Sequence, residues 1–166
     1  MANKYIKNSS GTLAEQEATV TSAGAGNAGQ IIALDATGKL DNSVLPTGIG
    51  ADTAIVAASE GLAAGDFVNI HNSSGAKVRK ADATTAGKEA HGFVLQSVIS
   101  GANATVYFEG TNTQVTGATG GLVFLSTTAG GFSSSAPTAS GNIVQKIGVA
   151  VSATAINFEG QQPIIL

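Results

Sequence analysis

Cysteine is missing from the chain, which excludes disulfide staples and thiolate metal sites, so burial and hydrogen bonding alone must hold the fold. Histidine is nearly as scarce. His71 and His91 are the only imidazoles, and no H-x-x-x-H or H-E-x-x-H spacing joins them. A zinc site needs three or four placed donors, so no metal or other cofactor is expected. Charged residues make up 11% of the chain and sum to −3, against about 25% charged residues in an average soluble protein. Nucleic-acid binding needs clustered Lys and Arg. The densest group here is Lys77, Arg79 and Lys80, and on a strand Lys77 and Arg79 share a face that reads as solvated or edge-guarding. Nucleic acid is therefore not an expected partner. No run approaches the ~20 apolar residues of a membrane span. The first residues, Met-Ala-Asn-Lys-Tyr-Ile-Lys, lack the apolar core of a signal peptide. Long helices are excluded as well, because no window of about 12 residues keeps an apolar stripe of period 3.6.

What remains is 43% hydrophobic residues and 22 glycines, a mixture suited to short strands, tight turns and close packing on other protein. A β pattern is written twice. Gly65-Asp-Phe-Val-Asn-Ile, Gly92-Phe-Val-Leu-Gln-Ser-Val and Thr105-Val-Tyr-Phe-Glu-Gly110 form one copy. Gly121-Leu-Val-Phe-Leu-Ser, Gly148-Val-Ala-Val-Ser and Ala155-Ile-Asn-Phe-Glu-Gly160 form the other. Gly65 to Gly121 and Gly92 to Gly148 are both 56 residues apart. Strands are expected at 66–72, 76–81, 93–99, 105–109, 122–126, 142–147, 149–152 and 156–159, with an edge strand at 163–166. Phe67, Asn69 and His71 should share one face, and Val68 and Ile70 the other. Turn signals roughly every ten residues favour an all-β domain, a β-barrel or β-sandwich built from two related halves. In the repeated Phe-Glu-Gly, each Phe (Phe108, Phe158) should point inward and each Glu (Glu109, Glu159) outward, as core anchors rather than a carboxylate pair.

Residues 1–52 read differently, as an extended Gly/Ala-rich N-terminal arm preceding a β domain at 53–166. Leu13-Ala-Glu-Gln-Glu-Ala18 suggests a helical turn or two, Ala18–Ser22 a short extended piece, and Gln30–Asp35 a strand closed by Ala36-Thr-Gly-Lys39. Leu40–Pro46 stops at its proline, before the Gly-rich 47–50. Glycine this dense makes an independent core improbable, so the arm is expected to need a partner surface. Asn8-Ser-Ser, Asn72-Ser-Ser and Asn103-Ala-Thr match the glycosylation triplet but read as turns. Gly24-Ala-Gly-Asn-Ala-Gly29 spells the dinucleotide fingerprint. It lacks the preceding strand, the following helix and an acid about 20 residues on. No G-x-S-x-G nucleophile turn occurs either, and the chain is expected not to be an enzyme.

Gly29-Gln-Ile-Ile-Ala-Leu-Asp-Ala-Thr-Gly-Lys-Leu-Asp-Asn-Ser-Val-Leu-Pro46 resembles a segment of phage virion proteins, G-x-I-x-x-x-D-x-x-G-K-hydrophobic-D-x-S-hydrophobic-L-P. That segment occurs in head decoration proteins and in tail fibres. Gly121–Ser126, Ala136-Pro-Thr138 and Val144–Ser152 are similar to the β module of the same group, as is Gly65–Gly110 with Arg79-Lys-Ala-Asp82; together these cover about four-fifths of the chain. The long repeats of a fibre body are missing, which favours the capsid decoration (cement) family. The resemblance implies a virion protein on the capsid exterior, made in the host cytoplasm. It would clamp neighbouring copies of the major capsid protein, commonly as a homotrimer. The partner-binding residues it points to are Ile31, Ile32, Leu34, Leu40, Val44, Leu45 and Pro46 of the arm. A tail-fibre or receptor- and glycan-binding module is the alternative it implies.

Overall fold

A computed structural model describes residues 3–46 and 49–166. The expected loop at Thr47-Gly48 and the first two residues of the expected arm lie outside them. Contact density divides the chain into two compact units, Met1–Gly50 and Ala51–Leu166. The protein is all-β: strands and two short 3-10 turns are the regular elements among the described residues. No helix among them is long and apolar enough to cross a membrane.

The first unit opens with a hairpin, β1 (Lys4–Ser9) and β2 (Thr12–Glu17), paired from Lys4↔Glu17 to Ser9↔Thr12. Its loop is Ser10-Gly11, with φ of 54° and 87°, the doubly positive geometry that matches the twist of a two-residue hairpin. Asn8 Oδ1 accepts the Gly11 N–H at 2.9 Å. The helical turn expected at 13–18 is therefore corrected to strand. The segment between Gly11 and Thr19 is too short to repay helix nucleation, whereas the turn presets antiparallel pairing. The strand expected at 30–35 contracts to one parallel bridge, Thr19↔Ile32. Thr19 N–H donates to Ile31 O at 2.9 Å and Ala33 N–H to Thr19 O at 2.8 Å, after which Asp35 draws the backbone into a turn. Short 3-10 turns follow the bridge's two approaches, at Gly24–Asn27 and Asn42–Val44. None of the described residues up to Gly50 is buried.

The second unit holds β3 (Thr53–Ala58), β4 (Phe67–Asn72), β5 (Ala76–Lys80), β6 (Gly92–Phe93) and β7 (Asn103–Tyr107). These close into a barrel in the order β3-β5-β4-β6-β7. Then come β8 (Gly110–Asn112), β9 (Gly121–Leu125), β10 (Phe132–Ser133), β11 (Ile143–Val144), β12 (Lys146–Ser152), β13 (Ala155–Phe158) and β14 (Ile164–Ile165). Five of them form an open sheet, β10-β9-β12-β13-β8, while β11 pairs with β14. Read from β5, the barrel order becomes β5-β4-β6-β7-β3 and matches the sheet strand for strand, so the two halves share one topology. Phe93↔Tyr107 in the barrel and Val149↔Asn157 in the sheet occupy the same place. The barrel closes because β3 is long enough to pair with β7 and then, in parallel, set Ala57 and Ala58 against Lys77 and Val78 of β5. Its counterpart β8 has three residues and β10 two, and these edges do not pair.

β4 and β6, with the residue that follows β6, are a wall between two cores. Phe67 and Phe93 enter a core with Leu125, Ile143, Ile147, Ile156 and Phe158. Val68 and Val94 face the barrel interior with Leu62, Val78, Ala104 and Val106. The rings of Phe67 and Phe93 lie 5.9 and 5.8 Å from that of Phe158, within the range of favourable aromatic packing. The strand expected at 93–99 ends at Phe93 and resumes as the single bridge Leu62↔Val98. Ser97, in the gap, uses its hydroxyl to accept the Ala64 N–H at 3.2 Å. Phe158 is buried and Phe108 half-buried against the barrel core, while Glu109 and Glu159 are exposed.

Candidate functional site

The segment 29–46 divides its labour by residue type. Its two aspartates are spent on its own backbone. Asp35 Oδ1 accepts the Thr37 N–H (2.8 Å), the Thr37 hydroxyl (2.7 Å) and the Lys39 N–H (2.9 Å). Asp35 N–H donates back to Lys39 O at 2.8 Å, closing the turn. The Lys39 amide first, and Thr37 after it, hold the Asp35 carboxyl below its ordinary value, because each bond favours the ionised form. Asp41 caps the 3-10 turn Asn42–Val44 by accepting the Ser43 N–H at 2.9 Å. Ser43, through its hydroxyl first and its amide second, holds Asp41 below the ordinary carboxyl value as well. The Ser43 hydroxyl accepts the Ser22 N–H at 2.8 Å, so the capping turn is tied to the loop that precedes the first 3-10 turn.

The apolar positions have no such role. Ile31 (55% exposed), Ile32, Leu34 (54%) and Leu40 are exposed, as is Pro46; Val44 and Leu45, drawn in by the 3-10 turn, are half-buried. A folded turn with its polar groups satisfied thus presents large aliphatic side chains to solvent. Sequence reasoning missed further exposed apolar residues of the same unit, among them Ile6 and Leu13 on the hairpin. A signal for that hairpin was present. Asn8-Ser-Ser-Gly11 repeats as Asn72-Ser-Ser-Gly75 between β4 and β5, where Asn72 Oδ1 accepts the Gly75 N–H at 3.2 Å and Ser74 has φ 56°. These two triplets sit at turns, as expected; the third is corrected to strand, since Asn103, Ala104 and Thr105 open β7 and pair with Ala57, Val56 and Ile55 of β3.

The second unit carries a cleft of about 510 Å³ lined by Glu89, His91, Phe108, Phe158 and Gln161, among others. His91 Nδ1 accepts the Ile70 N–H at 3.0 Å, and Nε2 lies 3.6 Å from Glu89. Gln145, at the floor, is buried, with its amide committed to Ala90 N–H (2.7 Å), Ala90 O (2.9 Å) and Gln161 O (3.0 Å). It braces the approach to β6 against the open sheet. Elsewhere Ser59 Oγ lies 3.0 Å from His71 Nε2 and 3.1 Å from Val78 O. No group of three His, Cys, Asp or Glu among the described residues is placed to hold a metal ion. Gly24–Asn27, inside the fingerprint-like glycines, is a four-residue 3-10 turn, not the start of a phosphate-binding helix.

No family model, curated protein or solved structure matches the chain.

Proposed function

We propose that the chain is a virion structural protein that binds the outer surface of a phage capsid as a homotrimer and clamps neighbouring major capsid protein subunits. Residues 31–46 are its gripping element. The observation that carries this reading is the division of labour in that segment: Asp35, Lys39, Asp41 and Ser43 fix a turn, and Ile31, Ile32, Leu34 and Leu40 project from it exposed. The likeness of Gly29–Pro46 to head decoration proteins supports the same assignment.

Fully burying one aliphatic side chain is worth about 1.5–3 kcal/mol, and ordering at the interface takes back part of that. Several such residues per chain, multiplied over linked copies, give strong retention on a surface that repeats. A protein that engages only the assembled shell stabilises it by linkage.

The test is to mix the purified protein with shells that lack it and image them. Wild type should give ordered density on the outer surface and raise the temperature at which shells open. The Ile31→Asp/Leu34→Asp variant should lose binding by at least about a hundredfold, since two buried charges cost several kcal/mol. Bare shells with wild type sink the reading, and immunogold label at the tail replaces it with a tail-fibre module.

A further inference from the structure

The hairpin of the first unit has strands of opposite charge. β1 holds Lys4 and Lys7 and no acid; β2 holds Glu15 and Glu17 and no base. Lys4 Nζ reaches Glu15 Oε2 at 2.9 Å. Glu17, directly opposite Lys4, and Lys7 have no ion pair among the described residues. The register places Ile6 and Leu13 on the same face as Lys4, Glu15 and Glu17, and they are 63% and 71% exposed. Among the described residues, β1 and β2 pair only with each other. Each strand therefore has an outer edge of backbone donors and acceptors without a neighbouring strand, and a lone two-stranded hairpin is marginal in water.

We propose that the hairpins of neighbouring copies of this chain join edge to edge, antiparallel, β1 of one copy against β2 of the next. The occupant is a second copy because each edge is complementary to the opposite edge of the same hairpin. A positive strand meets a negative one, and Glu17, left over inside its own hairpin, gains the neighbour's Lys4. Pairing β1 with β1, or β2 with β2, sets like charge against like and is disfavoured. Joined this way with faces aligned, Ile6 and Leu13 of successive copies fall on one continuous face. The contact is heterologous, so it closes into a ring when the rotation permits. The inference rests on the reading of the chain as self-associating and is independent of the surface it coats.

Sedimentation of the full chain across micromolar concentrations tests it. Wild type should associate, more weakly as salt rises. The variants Lys4→Glu/Lys7→Glu and Glu15→Lys/Glu17→Lys should each need at least about tenfold more protein to associate. An equimolar mixture of the two should associate again, since each β1 then meets an oppositely charged β2. The fourfold exchange combining all these substitutions preserves the charge pattern inside the hairpin and should associate like wild type. Wild type that stays monomeric overturns the interface and self-association together. Wild-type association that the paired reversals leave unchanged, or that the fourfold exchange fails to restore, overturns the interface alone.

Discussion

One aspartate turn is used in both units, and its two settings differ in a way that pH reads. Asp35-Ala-Thr-Gly-Lys39 and Asp82-Ala-Thr-Thr-Ala-Gly-Lys88 each begin Asp-Ala-Thr and end Gly-Lys. In each, one carboxylate oxygen accepts both the amide and the hydroxyl of the Thr two residues on, and the Asp N–H donates to the Lys carbonyl. Asp35 sits in water, where such bonds contribute little to stability. Asp82 is mostly buried and Lys88 Nζ lies 3.6 Å away. Burial there pushes its carboxyl up, but the Thr84 hydroxyl and amide and then the Lys88 charge more than offset it, leaving the value below the ordinary 3.8. A folded value lower than the unfolded one means the stabilisation is complete above 3.8 and vanishes as pH falls through the lower folded value. The urea midpoint of the second unit should therefore fall as pH drops through the acid range, and Asp82→Asn should flatten that limb. Parallel acid limbs in wild type and variant, followed by circular dichroism, would show that the turn carries no such linkage.

Among elements, the duplication is sharpest at two glycines. A Cβ placed on Gly92 would collide with the carbonyl oxygen of Tyr107, and one on Gly148 with that of Asn157. Tyr107 and Asn157 are themselves equivalent partners in β7 and β13, so the same close strand approach is built twice. Gly92→Ala and Gly148→Ala should each destabilise the second unit by about 2–3 kcal/mol, since backbone on the facing strand has no rotamer to yield. A cost below about 0.5 kcal/mol at either site, by urea titration, would show that the strands spread freely, which a packed core resists. These glycines were legible in the sequence, because the 56-residue offset that pairs them needs no structure to see. β4, β5, β9 and β13 were legible too, from apolar alternation between glycine turns. β8 was not: Gly110-Thr-Asn112 has no apolar residue, and its strand state comes from pairing with β13, a long-range fact. β2 misled for the opposite reason. Leu13-Ala-Glu-Gln-Glu has strong helix propensity, which a two-residue turn upstream overrode. In the candidate site, exposure of Ile31 and Leu34 followed from glycine density around them. The half-burial of Val44 and Leu45 did not, because it comes from the 3-10 turn that Asp41 caps.

At the scale of the whole molecule, burial is distributed unevenly, and the unevenness predicts which part folds alone. Among the described residues, every buried apolar one lies between Ala58 and Phe158, and both cores are assembled from residues of the second unit. The first unit has backbone turns and a hairpin but no buried residue among those described, so it lacks the apolar burial that offsets the entropy of ordering a chain. A fragment of residues 51–166 should unfold cooperatively with the urea midpoint of the full protein. It keeps the Asp52 carbonyl that accepts the Phe108 N–H at 2.9 Å where the barrel begins. A peptide of residues 1–50 should show no cooperative transition, with amide protection confined to weak values at the hairpin and the Asp35 turn. Added to shells, the fragment should fail to bind while remaining folded, which separates loss of grip from loss of structure. A fragment markedly less stable than the full chain would mean that the first fifty residues complete the body's packing. A cooperatively melting peptide would mean that they form a domain in their own right. Either result removes the reason for residues 31–46 to seek their burial on another protein.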